Sequence, residues 1–149
     1  MDEEYYSLIE NGTWDLVNRR VLPPGNGVIG CKWVYKVKRN ADNTTRFKAK
    51  VVIKGFQQIE GVDYDESYPP VPKFVTFRML MALAAVQDFE IDQMDVITAF
   101  LHPELDKEVY MEQPEKAYMK SNVMVCRLKK ALYELKHASR IWHITYVTH

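Results

Sequence analysis

An α+β domain is the fold class predicted by this 149-residue chain. Three observations carry the prediction. Two runs rich in Val, Tyr, Phe and Trp flank a turn-forming segment at residues 40–44, which reads as a β-hairpin over residues 31–56. A helical repeat of apolar residues at 76–87 feeds a short apolar strand at 89–96, and a second apolar strand at 123–128 leads into a helical segment at 131–146. The order hairpin, helix, strand, strand, helix fits segregated strands and helices. With 47% hydrophobic and 27% charged residues and no internal repeat or low-complexity linker, residues 1–149 read as one domain with one core.

Strand periodicity sorts the hairpin into two faces. On the first strand Trp33, Tyr35 and Val37 share one side, while Lys32, Lys36 and Lys38 share the other with Val34. The second strand places Phe47, Ala49, Val51 and Ile53 on one side and Arg46, Lys48, Lys50 and Lys54 on the other. A two-stranded ribbon is not stable alone, so its apolar face must pack on something. The cationic face is then left to solvent or to a phosphate backbone, and periodicity does not choose between them.

An acidic, proline-bearing loop at residues 57–73 follows. Thr76 can cap the next helix, whose Phe77, Leu80, Met81 and Ala84 recur at core-facing spacing. On the strand at 89–96, Ile91, Gln93 and Asp95 point one way and Asp92 and Met94 the other, so Asp92 and Asp95 are poor candidates to share a metal. Asp95 near the strand end could hold a hard cation such as Mg²⁺ or could simply cap the turn. In the last helical segment Leu135, Ala138, Ile141 or Trp142, and Thr145 face inward.

Charge is unevenly placed although the formal net charge is zero. Between residues 32 and 54 stand Lys32, Lys36, Lys38, Arg39, Arg46, Lys48, Lys50 and Lys54 against Asp42 alone, whereas the acids gather at 2–4, 60–66 and 88–95. Cys31 and Cys126 lack ligand spacing and read as buried small residues. The four histidines also lack ligand spacing and read as surface or half-buried imidazoles, and Trp14 and Trp33 as core aromatics. The longest apolar run, residues 79–86, is too short to span a bilayer and the N-terminus is acidic, so neither membrane anchoring nor secretion is expected.

Several blocks in fixed order carry a resemblance. They are C-K-W-V-Y-K-V-K-R-N at 31–40, R-F-K-A-K-V-V-I-K-G-F-Q-Q at 46–58, G-V-D-Y-D-E-S-Y-P-P-V at 61–71, Q-M-D-V-I-T-A-F-L-H at 93–102, E-V-Y-M-E-Q-P at 108–114 and V-C-R-L-K-K-A-L-Y-E-L-K-H-A-S-R-I-W at 125–142. Over residues 14–142 the chain resembles the reverse transcriptase domain of copia-type retrotransposon polyproteins, and residues 143–149 diverge. The resemblance implies the fingers and part of the ferredoxin-like palm of a right-hand polymerase. It also implies an intracellular protein, cytoplasmic or nuclear, working on an RNA or DNA template-primer and deoxynucleotides with two Mg²⁺ ions, beside other parts of a retroelement polyprotein. Asp95 matches the first metal-binding aspartate. Phe100 matches the aromatic under the sugar that selects deoxynucleotides, although its residue type alone equally suits a core position. Lys36, Lys48 and Lys50 become candidates to touch triphosphate or template.

Departures from the family pattern limit what the resemblance implies. Its other two metal-binding aspartates come from an Asp-Asp pair, and this sequence contains none. One carboxylate cannot offset the repulsion of two dications, so catalysis by this chain alone is not expected. Glu134, His137 and Ser139 stand where the family carries Gly, Gln and Pro, and Pro103 replaces a usual Gly. Two alternatives follow: a non-catalytic nucleic-acid-binding or protein-interaction module, and an incompletely folded remnant.

Overall fold

The computed structural model describes residues 1–40, 42–67, 72–94, 96, 98–115 and 121–147. The first element is helix α1, Asp2–Glu10. It ends because Asn11-Gly12 breaks it: Gly12 takes φ +60°, its amide donates to Ile9 O at 2.9 Å, and the Thr13 amide donates to Leu8 O at 3.1 Å. That pair of bonds closes the helix on a left-handed residue that glycine adopts without a Cβ penalty.

The strands that follow build two sheets. Strands β1 (Trp14–Asn18), β2 (Val28–Ile29), β5 (Glu104–Met111) and β6 (Met124–Lys130) form a four-stranded sheet in the order β1-β6-β5-β2. Its β1/β6 and β6/β5 pairs are antiparallel and β2/β5 is parallel. The register puts Trp14 and Val109 on either side of Leu128, and sets Ile29, Met111 and Cys126 in line. These residues join Leu8, Val51, Ile53, Leu132 and Leu135 in the core. The second sheet is the hairpin of β3 (Cys31–Arg39) and β4 (Thr45–Ile53). Its turn is held by Asp42 Oδ1, which accepts from the Thr44 amide at 3.0 Å and the Thr44 hydroxyl at 2.6 Å, with Asn43 at φ +61°. Helices α2 (Phe74–Gln87) and α3 (Ala138–Val147) complete the elements, and the whole is mixed α and β as expected.

Several local expectations need correction. The segment 89–96 is not a strand at any of its described residues, because no neighbouring strand supplies a ladder; Ile91 and Met94 stand exposed. Helix α2 begins at Phe74, with Lys73 as N-cap making no side-chain cap bond, so Thr76 lies inside the helix. Of the expected inward residues only Ala84 is buried; Phe77 and Leu80 are exposed and Met81 is intermediate. The final helix starts at Ala138, not at 131. Residues 131–137 are pinned in a non-helical path by a bridge between Tyr133 and Val52 and by Glu134 at φ +69°. The inward set survives that shift, since Leu135, Ala138 and Ile141 are all buried. Cys126 is buried, its thiol pushed up to about 12 by desolvation, whereas Cys31 is half-buried and donates to Glu112 O at 3.3 Å.

Candidate nucleic-acid interface

The hairpin register pairs the residues of each expected face, but the apolar face is covered only at its inner end: Val51 and Ile53 are buried, whereas Tyr35, Val37 and Phe47 are exposed. Lys36 lies directly opposite Lys48, Lys38 opposite Arg46, and Val34 opposite Lys50, while Trp33, Tyr35 and Val37 oppose Val51, Ala49 and Phe47. Val34, Lys36, Lys38, Lys48 and Lys50 line one cleft of about 250 Å³ that no acidic side chain borders. Like charges facing each other across a ladder destabilise it. Among the described residues no carboxylate pairs with these lysines within 4 Å.

At its root the cleft meets the rest of the chain through Tyr133. Lys50 Nζ sits 3.6 Å above the centroid of the Tyr133 ring, a cation–π contact, and that ring meets Phe100 edge-on at 6.0 Å. The Tyr133 carbonyl accepts from the Ile53 amide at 3.2 Å, extending the free edge of β4. Phe100 itself lies in a 3-10 turn, Ala99–Leu101, and is partly buried against the core. Lys36, Lys48 and Lys50 thus share one cleft, and Lys50 is linked to Phe100 through the Tyr133 ring. Asp95 lies outside the described residues, and nothing here positions it. Sequence reasoning misses Tyr133; its signal is an aromatic in the block A-L-Y-E-L just after an apolar strand.

A second network ties the acidic loop to residues 107 and 136–140. Gln58 Oε1 accepts from the Lys136 amide at 2.8 Å, Lys136 Nζ donates to Tyr64 OH at 3.1 Å, and Tyr64 stacks on His137 with centroids 6.2 Å apart. Lys107 pairs with Asp65 at 2.6 Å and Arg140 with Glu66 at 3.1 Å, while Asp63 Oδ2 accepts from the Ile59 amide at 2.7 Å. His137 is only 2% exposed, contrary to the surface or half-buried position expected for it. Because Gln58 Oε1 is engaged, its amide nitrogen is the group that faces His137 Nδ1 at 3.5 Å, which places the ring proton on Nε2, 3.9 Å from Asp106 Oδ1. Burial pushes the imidazole below its ordinary value, and Asp106 partly opposes that. No three His, Cys, Asp or Glu side chains among the described residues could hold a metal ion together. None of the described helices is long and apolar enough to cross a membrane.

Comparison with known proteins assigns the same blocks. The family model described as reverse transcriptase (RNA-dependent DNA polymerase) matches residues 11–148. The retrovirus-related Pol polyprotein from transposon TNT 1-94 of Nicotiana tabacum is 47% identical over 148 residues, covering 98% of this chain and 11% of the polyprotein. Pol polyproteins from transposons RE2 and RE1 of Arabidopsis thaliana are 41% and 40% identical, each covering 97% of this chain and 10% of the polyprotein. The chain therefore spans about a tenth of the length of these relatives. No solved structure matches it.

Proposed function

Because the chain belongs to the reverse transcriptase (RNA-dependent DNA polymerase) family, as a fragment of a copia-type retrotransposon Pol polyprotein, we propose that its hairpin is the fingers surface that grips a template-primer backbone. The observation that carries this reading is the acid-free cleft of Val34, Lys36, Lys38, Lys48 and Lys50, joined through Tyr133 to Phe100. Basic side chains packed opposite one another suit the close spacing of backbone phosphates, and they bind without reading sequence. On this reading Phe100 borders the sugar of an incoming deoxynucleotide, and residues 74–100 belong to a partial palm.

The family generally uses divalent metal ions, but the donor set in this chain does not complete such a site. Asp95 is the one family-matched carboxylate, the sequence has no Asp-Asp pair, and the described residues offer no three-ligand cluster. No metal-dependent step is assigned to the chain alone. It is read as a nucleic-acid-binding part of a polymerase whose remaining carboxylates come from elsewhere; a non-catalytic binding remnant would use the same cationic face.

Two measurements test the binding assignment and the expected absence of catalysis by the chain alone. Anisotropy with a labelled RNA–DNA hybrid should give sequence-independent affinity that falls steeply with salt. Replacing Lys36, Lys48 and Lys50 by Ala should lower the salt slope by about one unit for each phosphate no longer neutralised. An unchanged slope in a folded triple variant removes the assignment. Primer extension with Mg²⁺ and deoxynucleotides should stay at background; extension abolished by Asp95→Ala would restore autonomous catalysis.

A further inference from the structure

The cationic cleft has an acidic neighbour supplied by the first turn of α1. That helix packs beside β4. Leu8 is 1% exposed and anchors it in the core, and Glu4 lies one turn earlier on the same helix face, so anchoring Leu8 turns Glu4 toward the hairpin. Glu4 is half-buried, and with Met1 and Glu3 it forms one wall of a cleft of about 200 Å³ whose other wall is Arg46, Phe47, Lys48 and Ala49. Lys48 also lines the acid-free cleft, so the two clefts share it. The Tyr35 hydroxyl, 3.0 Å from Met1 Sδ, holds the start of the helix against the partner strand.

Electrostatics agree with that placement. Burial raises the Glu4 carboxyl while Lys50 and then Lys48 pull it back down, and the Tyr133 phenol is raised by burial and then by the charge of Glu4. Glu4 is therefore within Coulombic reach of the two lysines and the tyrosine that form the root of the interface. Among the described residues it makes no ion pair within 4 Å, so its hold on the lysines is long-range and readily exchanged for a closer anion.

We propose that Glu4 is an internal anion competing for the inner end of the phosphate-binding face, so that its charge weakens the hold of Lys48 and Lys50 on a nucleic-acid backbone. The proposal rests on the reading of the hairpin as a backbone-binding surface. It adds a built-in competitor to that surface, which weakens binding.

The test uses the full chain, with Glu4→Gln, Glu10→Gln as a charge-matched control at the far end of α1, and each combined with Lys48→Ala. Binding is measured to an RNA–DNA hybrid and, separately, to tripolyphosphate. Glu4→Gln should tighten both by about fivefold at low salt, the effect of removing one charge near the two lysines. Glu10→Gln should tighten them less than about twofold, and Lys48→Ala should erase most of the Glu4→Gln gain. Equal gains from Glu4→Gln and Glu10→Gln, or a gain that persists unchanged without Lys48, overturns the proposal. If the lysine variants leave hybrid binding intact, the backbone-binding reading fails by itself. The tripolyphosphate comparison then still decides the role of Glu4.

Discussion

Gly55→Ala should destabilise this fold by about 3 kcal/mol, although Gly55 carries no side chain and lies outside the cationic cleft. A Cβ at position 55 would collide with the carbonyl oxygen of Glu134 and stand 3.2 Å from its carbonyl carbon, and both are main-chain atoms that cannot rotate aside. The 134 backbone would have to retreat by about 1 Å to reach van der Waals separation. That backbone is fastened on both sides, by the Ile53 amide to Tyr133 O at 3.2 Å and by the Lys136 amide to Gln58 Oε1 at 2.8 Å. Breaking or stretching two such bonds costs about 1 kcal/mol each, and displacing buried Leu132 and Leu135 adds an overpacking cost of about 1 kcal/mol or more. For a chain of this length the total corresponds to a melting point lower by roughly 6–12 °C. Urea unfolding followed by tryptophan fluorescence at low protein concentration measures the change. Gly27→Ala is the control, since a Cβ there meets nothing within 4 Å and the backbone is not left-handed. A Gly55→Ala variant within about 0.5 kcal/mol of the parent, the usual range for innocuous surface changes, would refute the close-approach argument.

Glu134→Gly should stabilise the chain by about 1 kcal/mol, because Glu134 occupies φ +69° where a Cβ is penalised; a lower urea midpoint in this variant would contradict that. Burial holds the His137 imidazole below its ordinary value, so the unfolded chain takes up a proton at higher pH than the folded one. Stability is then complete above that ordinary value, near pH 6.5, and declines as pH falls through it; the decline should flatten in His137→Gln, and equal slopes would remove the assignment. Helix α2 exposes Phe74, Phe77, Leu80, Leu83 and Val86, so the chain should self-associate at micromolar concentration, which Leu80→Lys with Leu83→Lys should suppress; sedimentation showing a monodisperse parent refutes this. Amides of residues 89–94 should exchange faster than those of β3 and β4, as unpaired backbone does, and equal protection would argue for a pairing partner.

The hairpin is readable from sequence because two independent patterns coincide there. Period-2 alternation fixes which residues share a face, and like charges gather on the face that cannot enter a core. The register then only has to align Trp33 with Val51. Helix α1 is also signalled, through the Asn11-Gly12 stop, but a nine-residue helix whose first turn is three acids shows little apolar periodicity to mark it. Strand β5 hides for a different reason: Val109, Tyr110 and Met111 are buried in succession, so the alternation that marks a one-sided strand is absent. The segment 89–96 fails in the opposite sense. Its apolar content says that it is buried against something, and among the described residues that something does not appear, nor does a partner for the apolar surface of α2. Apolar pattern reports a demand for cover, and it does not report whether the cover lies in the same stretch of chain.

Contacts between distant loops are beyond pattern of any kind. Gly55 and Glu134 touch through backbone, and Gln58 reaches Lys136 and His137, because β4 and the segment after β6 end side by side. Zero net charge also coexists here with a strongly cationic hairpin face. The acids at 65 and 66 are paired with Lys107 and Arg140, which lie outside the hairpin. Each of those exposed pairs contributes little to stability, about 0–1 kcal/mol. Their effect is to keep negative charge local, while Glu3 and Glu4 line the cleft that contains Lys48. Global neutrality in this chain is therefore a sum over locally unequal charge, and the net charge used in place of the local one assigns no charge at all to a hairpin that is cationic.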